Sequence, residues 1–195
     1  MNATRWGSEG PPAEAYSRVT NPERFAPLHP AALAQLQRLQ DQFDVERVED
    51  YEPVRGLTQV DLARPSVKLI PADSKAAPIF VAFTKFPSLI LRCGLLVELG
   101  FPACGCEACD ETAEGELQRL TDVIDDVVQG RFRESIRIPL WGEAELGWEF
   151  SSTTHRMGGG VRIARSRARA VVKDHGASVE WAAWPLKSGS LSVNA

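Results

Sequence analysis

A chain of 195 residues with 44% hydrophobic and 25% charged side chains has the make-up of an ordinary packed domain, which excludes an intrinsically disordered polymer. At this length folding removes about 70% of the unfolded surface from water, so neither disulfide nor metal staples are needed for stability. A formal net charge of −4 argues against bulk attraction to nucleic acid or to an anionic membrane surface.

Met1 to Pro12 has no basic stretch followed by an apolar core, so no secretory leader is expected. Residues 1–12 are Gly-, Pro-, Ser- and Glu-rich and read as a disordered segment, 13–186 as a single α+β domain, and 187–195 as a flexible tail. The longest apolar region, Ser88 to Phe101, is interrupted by Arg92 and Glu98 and is too short to span a bilayer. A cytoplasmic protein with no membrane partner is expected, in a compartment that keeps thiols reduced.

Along the chain, Pro30 opens a helix to about Asp44, with Ala32, Leu36, Leu39 and Phe43 on one face. Val45 to Tyr51 is charged and reads as an edge strand. Val67–Ile70, Ile79–Phe86, Leu89–Cys93 and Leu95–Leu99 read as consecutive strands, broken at Pro71, Pro87 and Gly94. Connections this short favour an antiparallel meander. A second helix follows, with Leu117, Leu120, Ile124, Val127 and Val128 as its buried stripe and Gly130 at its end. Asp110, Glu111 and Glu114 suit the positive end of its dipole. Phe132–Ile138 and Leu146–Phe150 alternate like strands. Gly158-Gly159-Gly160 reads as a flexible break before a short strand at Val161–Ile163. Ser166 is placed as the cap of a short basic helix ending before Gly176, and Val179–Trp184 as a last strand. The expected fold is α+β, a mostly antiparallel sheet with two or three helices packed on one side.

All four cysteines, Cys93, Cys104, Cys106 and Cys109, lie close together in sequence, the last three in Cys104-Gly105-Cys106-Glu107-Ala108-Cys109. Three readings compete. In the first, the turn holds a metal, with Zn²⁺ preferred. The gap between Cys106 and Cys109 is a chelating spacing, and Gly105 lets Cys104 bend in as a third thiolate. Candidates for a fourth ligand are Cys93, Asp110, His155 and His175, although a strand's length separates Cys93 from the turn. The second is thiol redox chemistry, disfavoured because Glu107, Asp110, Glu111 and Glu114 oppose thiolate formation. The third is inert packing of small cysteines.

Three segments carry a resemblance: Val19-Thr20-Asn21-Pro22-Glu23-Arg24-Phe25, Phe101-Pro102-Ala103-Cys104-Gly105-Cys106-Glu107-Ala108-Cys109-Asp110-Glu111, and Trp181-Ala182-Ala183-Trp184-Pro185. Together they resemble an uncharacterised bacterial family of unknown function. The resemblance spans roughly Tyr16 to Pro185, implies one domain, and makes the cysteine turn part of the family pattern. It implies no activity.

Elsewhere, Ser151 to Lys173 carries Arg156, Arg162, Arg165, Arg167, Arg169 and Lys173 with no acidic residue, while Glu107 to Asp126 is strongly acidic. The two stretches are expected to face each other or the solvent rather than nucleic acid. Trp181 and Trp184, three apart in a strand, are expected to put one ring in the core and one partly outside, toward a partner. His29, His155 and His175 sit in no recognisable catalytic motif. The leading expectation is a binding or interaction protein with a structural metal in its cysteine turn and an acidic helix open to a protein partner. The alternatives are a metal-dependent or thiol enzyme using the same turn, and a toxin-neutralising or regulatory partner protein.

Overall fold

In the computed structural model the described residues are 5–51, 60–152 and 156–188; His155 and the tail from 189 lie outside them. The chain is α+β, with antiparallel strands divided between two sheets. Helix α1, Leu28–Gln42, starts two residues before Pro30 and buries Leu28, Ala32, Leu36 and Leu39. Pro30 thus falls in the first turn, where its missing N–H has no helical acceptor to lose.

The first sheet is an uninterrupted meander of β1 (Val45–Asp50), β2 (Ser66–Pro71), β3 (Ile79–Phe83), β4 (Leu89–Cys93) and β5 (Val97–Phe101), in that order. Central β3, Ile-Phe-Val-Ala-Phe, is buried at all five positions, whereas charged β1 forms an edge. Charges on an edge strand discourage pairing with a further chain.

Helix α2, Ala113–Val128, is capped by Thr112, whose Oγ1 accepts the Gly115 N–H at 3.1 Å. Leu120, Val123, Ile124, Val127 and Val128 are its buried stripe. Arg119 binds it to β5, lying 3.9 Å over the Phe101 ring centre while donating to the Gly100 carbonyl.

The second sheet takes β6 (Phe132–Arg137), β7 (Ala144–Ser151), β8 (Arg156–Ile163) and β9 (Ser178–Glu180) in the order β8-β7-β6-β9. Helix α3, Arg165–His175, connects β8 to β9 and contacts β7 and β9. Two local expectations change here. Gly158-Gly159-Gly160 is no break, since all three pair with β7 inside β8. Gly159 lies against the Trp148 ring, where a Cβ would stand 2.6 Å from Cζ2, so the glycine is needed for close approach. Ser166 is not a cap: it lies inside α3, which Ala164 precedes without a side-chain cap.

One hydrophobic core runs through both sheets. The seam between them is Trp181–Pro185. Ala182 bridges to Ala76, the Trp184 N–H donates to the Val128 carbonyl at 2.9 Å, and Asp44 donates to the Pro185 carbonyl at 2.8 Å. Both indoles are buried, 7% exposed at Trp181 and 4% at Trp184, which corrects the expectation of one outward ring. Trp181 Nε1 donates to the Glu134 carboxylate at 3.0 Å and Trp184 Nε1 to the Ala77 carbonyl at 2.8 Å. Each indole brings its own partner inside, so neither needs water. Glu134 also accepts the Leu95 and Leu96 amides at 2.9 and 3.0 Å, tying the β4–β5 turn to β6.

Candidate metal centre

The cysteine turn occupies the link between β5 and α2. The sulfurs of Cys104, Cys106 and Cys109 all lie within 4.8 Å of one another, and Cys106 and Cys109 are 3.5 Å apart. Three thiolates on a tetrahedral Zn²⁺ sit about 3.8 Å from each other, given Zn–S bonds of about 2.3 Å. The three cysteines are therefore close enough to hold a metal ion if their sulfurs draw together by up to about 1 Å. Cys104 and Cys109 are exposed, and Cys106 is buried beneath them.

The backbone that brings them together is fixed by three devices. Gly105 has φ +79°, and a Cβ there would come within 3.2 Å of the Phe86 ring, so a side chain would be both strained and crowded. Second, the Glu111 carboxylate turns back to accept the amides of Ala103 at 3.0 Å, Cys104 at 3.2 Å and Gly105 at 2.6 Å. Three successive N–H groups converging on one anion make a nest. Third, the segment before α1 clasps the turn from behind. The amides of Glu107 and Ala108 donate to the carbonyls of Arg18 and Ala15 at 2.9 and 3.1 Å. The Thr20 hydroxyl donates to the buried Glu107 carboxylate. Arg24 donates to the Gly105 carbonyl at 3.1 Å and to the Thr20 carbonyl at 3.3 Å, its guanidinium 4.6 Å over the Phe25 ring.

Hydrogen bonds set the protonation of the thiols. The Cys106 thiol is drawn below its ordinary value, first by a hydrogen bond from Cys104 and then by the backbone amide of Cys109, with the Ala108 amide adding a smaller share. Cys109 goes the other way, pushed up to about 12 because its hydrogen bonds to Cys104 and Cys106 hold its proton in place. The expectation that neighbouring carboxylates would raise every thiol therefore gives way at Cys106. Glu111, facing its amides, is not among the causes.

The other named residues lie elsewhere. Cys93 is fully buried opposite Val97, at the end of β5 remote from the turn, and burial pushes its thiol well up. Four strand steps of about 3.3 Å separate the two ends. His29 Nε2 lies 3.0 Å from the Ser88 carbonyl, its ring edge-on to Phe83. His175 closes α3 and is exposed. Among the described residues no His, Asp or Glu joins the three cysteines. A cleft of about 920 Å³ is lined by Tyr51, Asp61, Thr84 and Phe86 and by none of the cysteines.

Two residues of the basic stretch find partners around the second sheet. Arg156 pairs with Glu149 at 2.9 Å, and Arg165 donates to the Gly142 carbonyl at 3.1 Å, both within the second sheet's own neighbourhood. The Arg165 contact holds the β6–β7 hairpin, whose tip exposes Leu140 and Trp141 at 89% and 88%.

Fold and turn define a class: an α+β chain whose solvent-facing three-cysteine turn is clasped by its own amino-terminal segment. The chain belongs to a family of unknown function (DUF6226), matched over residues 3–188. No curated protein and no solved structure matches it. No helix among the described residues is long and apolar enough to cross a membrane.

Proposed function

We propose that this chain is a cytoplasmic interaction protein, folded as one domain over residues 13–186, whose cysteine turn is set by a structural Zn²⁺ on Cys104, Cys106 and Cys109. The observation that carries the reading is the convergence of three sulfurs within 4.8 Å. A redox couple uses two sulfurs and leaves the third without a role. Inert packing conflicts with the exposure of Cys104 and Cys109, because a small apolar side chain gains nothing by packing into solvent. Zn²⁺ favours thiolates, has no redox chemistry of its own, and suits a turn whose amides already support the inner sulfur. The clamped hairpin tip, with Leu140 and Trp141 almost bare, supports the interaction half of the reading better than the acidic helix does.

Elemental analysis of untagged protein, with free thiols counted alongside, tests the metal. About one zinc per chain is expected, lost in Cys106→Ser together with thermal stability. Metal-free protein that is fully folded, with all its thiols titrating freely, would reject the reading.

A further inference from the structure

Three protein sulfurs leave one position of a tetrahedron to be filled, and the surroundings of the turn define what fits it. We propose that the fourth ligand comes from outside the chain and is a neutral nitrogen donor, an imidazole of the kind a basic histidine-bearing peptide presents. This rests on the metal reading above.

Among the described residues, the candidate donors are either engaged or stand apart from the sulfurs. Glu107 is buried and receives the Thr20 hydroxyl, and Glu111 is filled by three amides. His29 faces the Ser88 carbonyl, and Cys93 is buried a strand's length away. Asp110 neighbours Cys109 on left-handed backbone, φ +51°, and stays outside the cluster of sulfurs. Access is from solvent, since Cys104 and Cys109 form the outer side of the cluster and Cys106 the inner.

Charge then selects the ligand. Zn²⁺ with three thiolates carries a net single negative charge. Glu107, Asp110, Glu111 and Glu114 add to it within ten residues of sequence, and Arg24, the cation of the clasp, is turned to the Gly105 carbonyl. A fourth thiolate or a carboxylate would raise the negative charge of the centre against those groups. Imidazole leaves the charge unchanged, and basic residues beside it would be attracted by the same carboxylates. Binding is ligand exchange at the metal. The nitrogen lone pair replaces a water oxygen, and no electron or proton changes hands.

The test uses the full-length protein loaded with Co²⁺ in place of Zn²⁺. Sulfur-to-cobalt charge-transfer intensity counts thiolates, and the ligand-field bands report the fourth donor. Imidazole, 2-mercaptoethanol, acetate and the peptide Lys-Lys-His-Lys-Lys are titrated separately. Imidazole is expected to move the ligand-field bands saturably with charge transfer held at three thiolates. The peptide should half-saturate at about tenfold lower concentration than imidazole, and mercaptoethanol at about tenfold higher. Bound Co²⁺ with bands that imidazole leaves unmoved overturns the proposal, as does a thiol that outcompetes imidazole; both leave the metal reading standing. Bands altered in Asp110→Asn, or in His155→Gln, a position outside the described residues, before any ligand is added would show the position filled from within and would also overturn it. A wild-type chain that takes up no Co²⁺ removes the metal reading itself.

Discussion

Glu111 and Glu134 are two carboxylates given opposite work by their surroundings. Glu111, half-buried, collects three consecutive amides and holds the cysteine turn in shape. Glu111→Gln keeps one acceptor and turns an amide donor toward the other N–H groups. It is expected to lower stability by about 1–2 kcal/mol in urea denaturation, water replacing part of what is lost. Zinc affinity against a competing chelator should fall by at least about tenfold, because the sulfurs depend on that backbone. Glu134 is buried, and burial raises its carboxyl above the ordinary value while the Leu95, Leu96 and Trp181 donors pull it part of the way back. A carboxyl raised on folding contributes stability that is fully present below its unfolded value and is lost as pH rises through the folded one. The stability difference between the wild type and Glu134→Gln, read by thermal melts, should therefore shift against the wild type as pH rises above the ordinary carboxylate range. A shift in the wild type's favour over that rise would contradict the assignment.

At the scale of elements, glycines decide where strands and helices meet. Gly130 follows α2 at φ +70°, and a Cβ there would stand 2.5 Å from the Ala183 nitrogen and 2.9 Å from the Ala182 carbonyl carbon. Both are backbone atoms of the seam and cannot swing aside. Gly130→Ala is expected to cost about 3 kcal/mol or to prevent folding. Gly142→Ala, at φ +83° with nothing within 4 Å, should cost only the left-handed strain, about 1 kcal/mol. Equal losses in the two variants, measured by the same melts, would show that the seam yields. Most elements were legible in the sequence because local chemistry determines them: Leu120, Ile124 and Val127 recur at helical spacing, and β2 to β5 are joined by short connections between neighbours. What escaped depends on contacts distant in sequence. The triple glycine looks like a break until Trp148 of the adjoining strand is laid across Gly159. One of Trp181 and Trp184 looks half-exposed until Glu134 and the Ala77 carbonyl, both distant in sequence, meet their indole nitrogens.

For the whole molecule, the division into two sheets was not legible, because alternation reveals strands and not which of them share hydrogen bonds. The same holds for the clasp: nothing local to Thr20 or Arg24 points to Glu107 or Gly105, although their segment belongs to the family resemblance. With one core running through both sheets and Glu134 joining the β4–β5 turn to Trp181, the halves have no independent stability to express. Unfolding in denaturant should be a single transition, coincident by tryptophan fluorescence and by far-ultraviolet circular dichroism. Separate midpoints would instead divide the chain at the seam.

The clasp gives the chain's beginning a stake in a ligand it never touches. Because Ala15 and Arg18 receive the amides of Ala108 and Glu107, the work of keeping that early stretch in place is shared with whatever holds the sulfurs together. On the proposed metal reading, any free energy by which an occupied centre tightens the clasp equals that by which an ordered clasp tightens the centre.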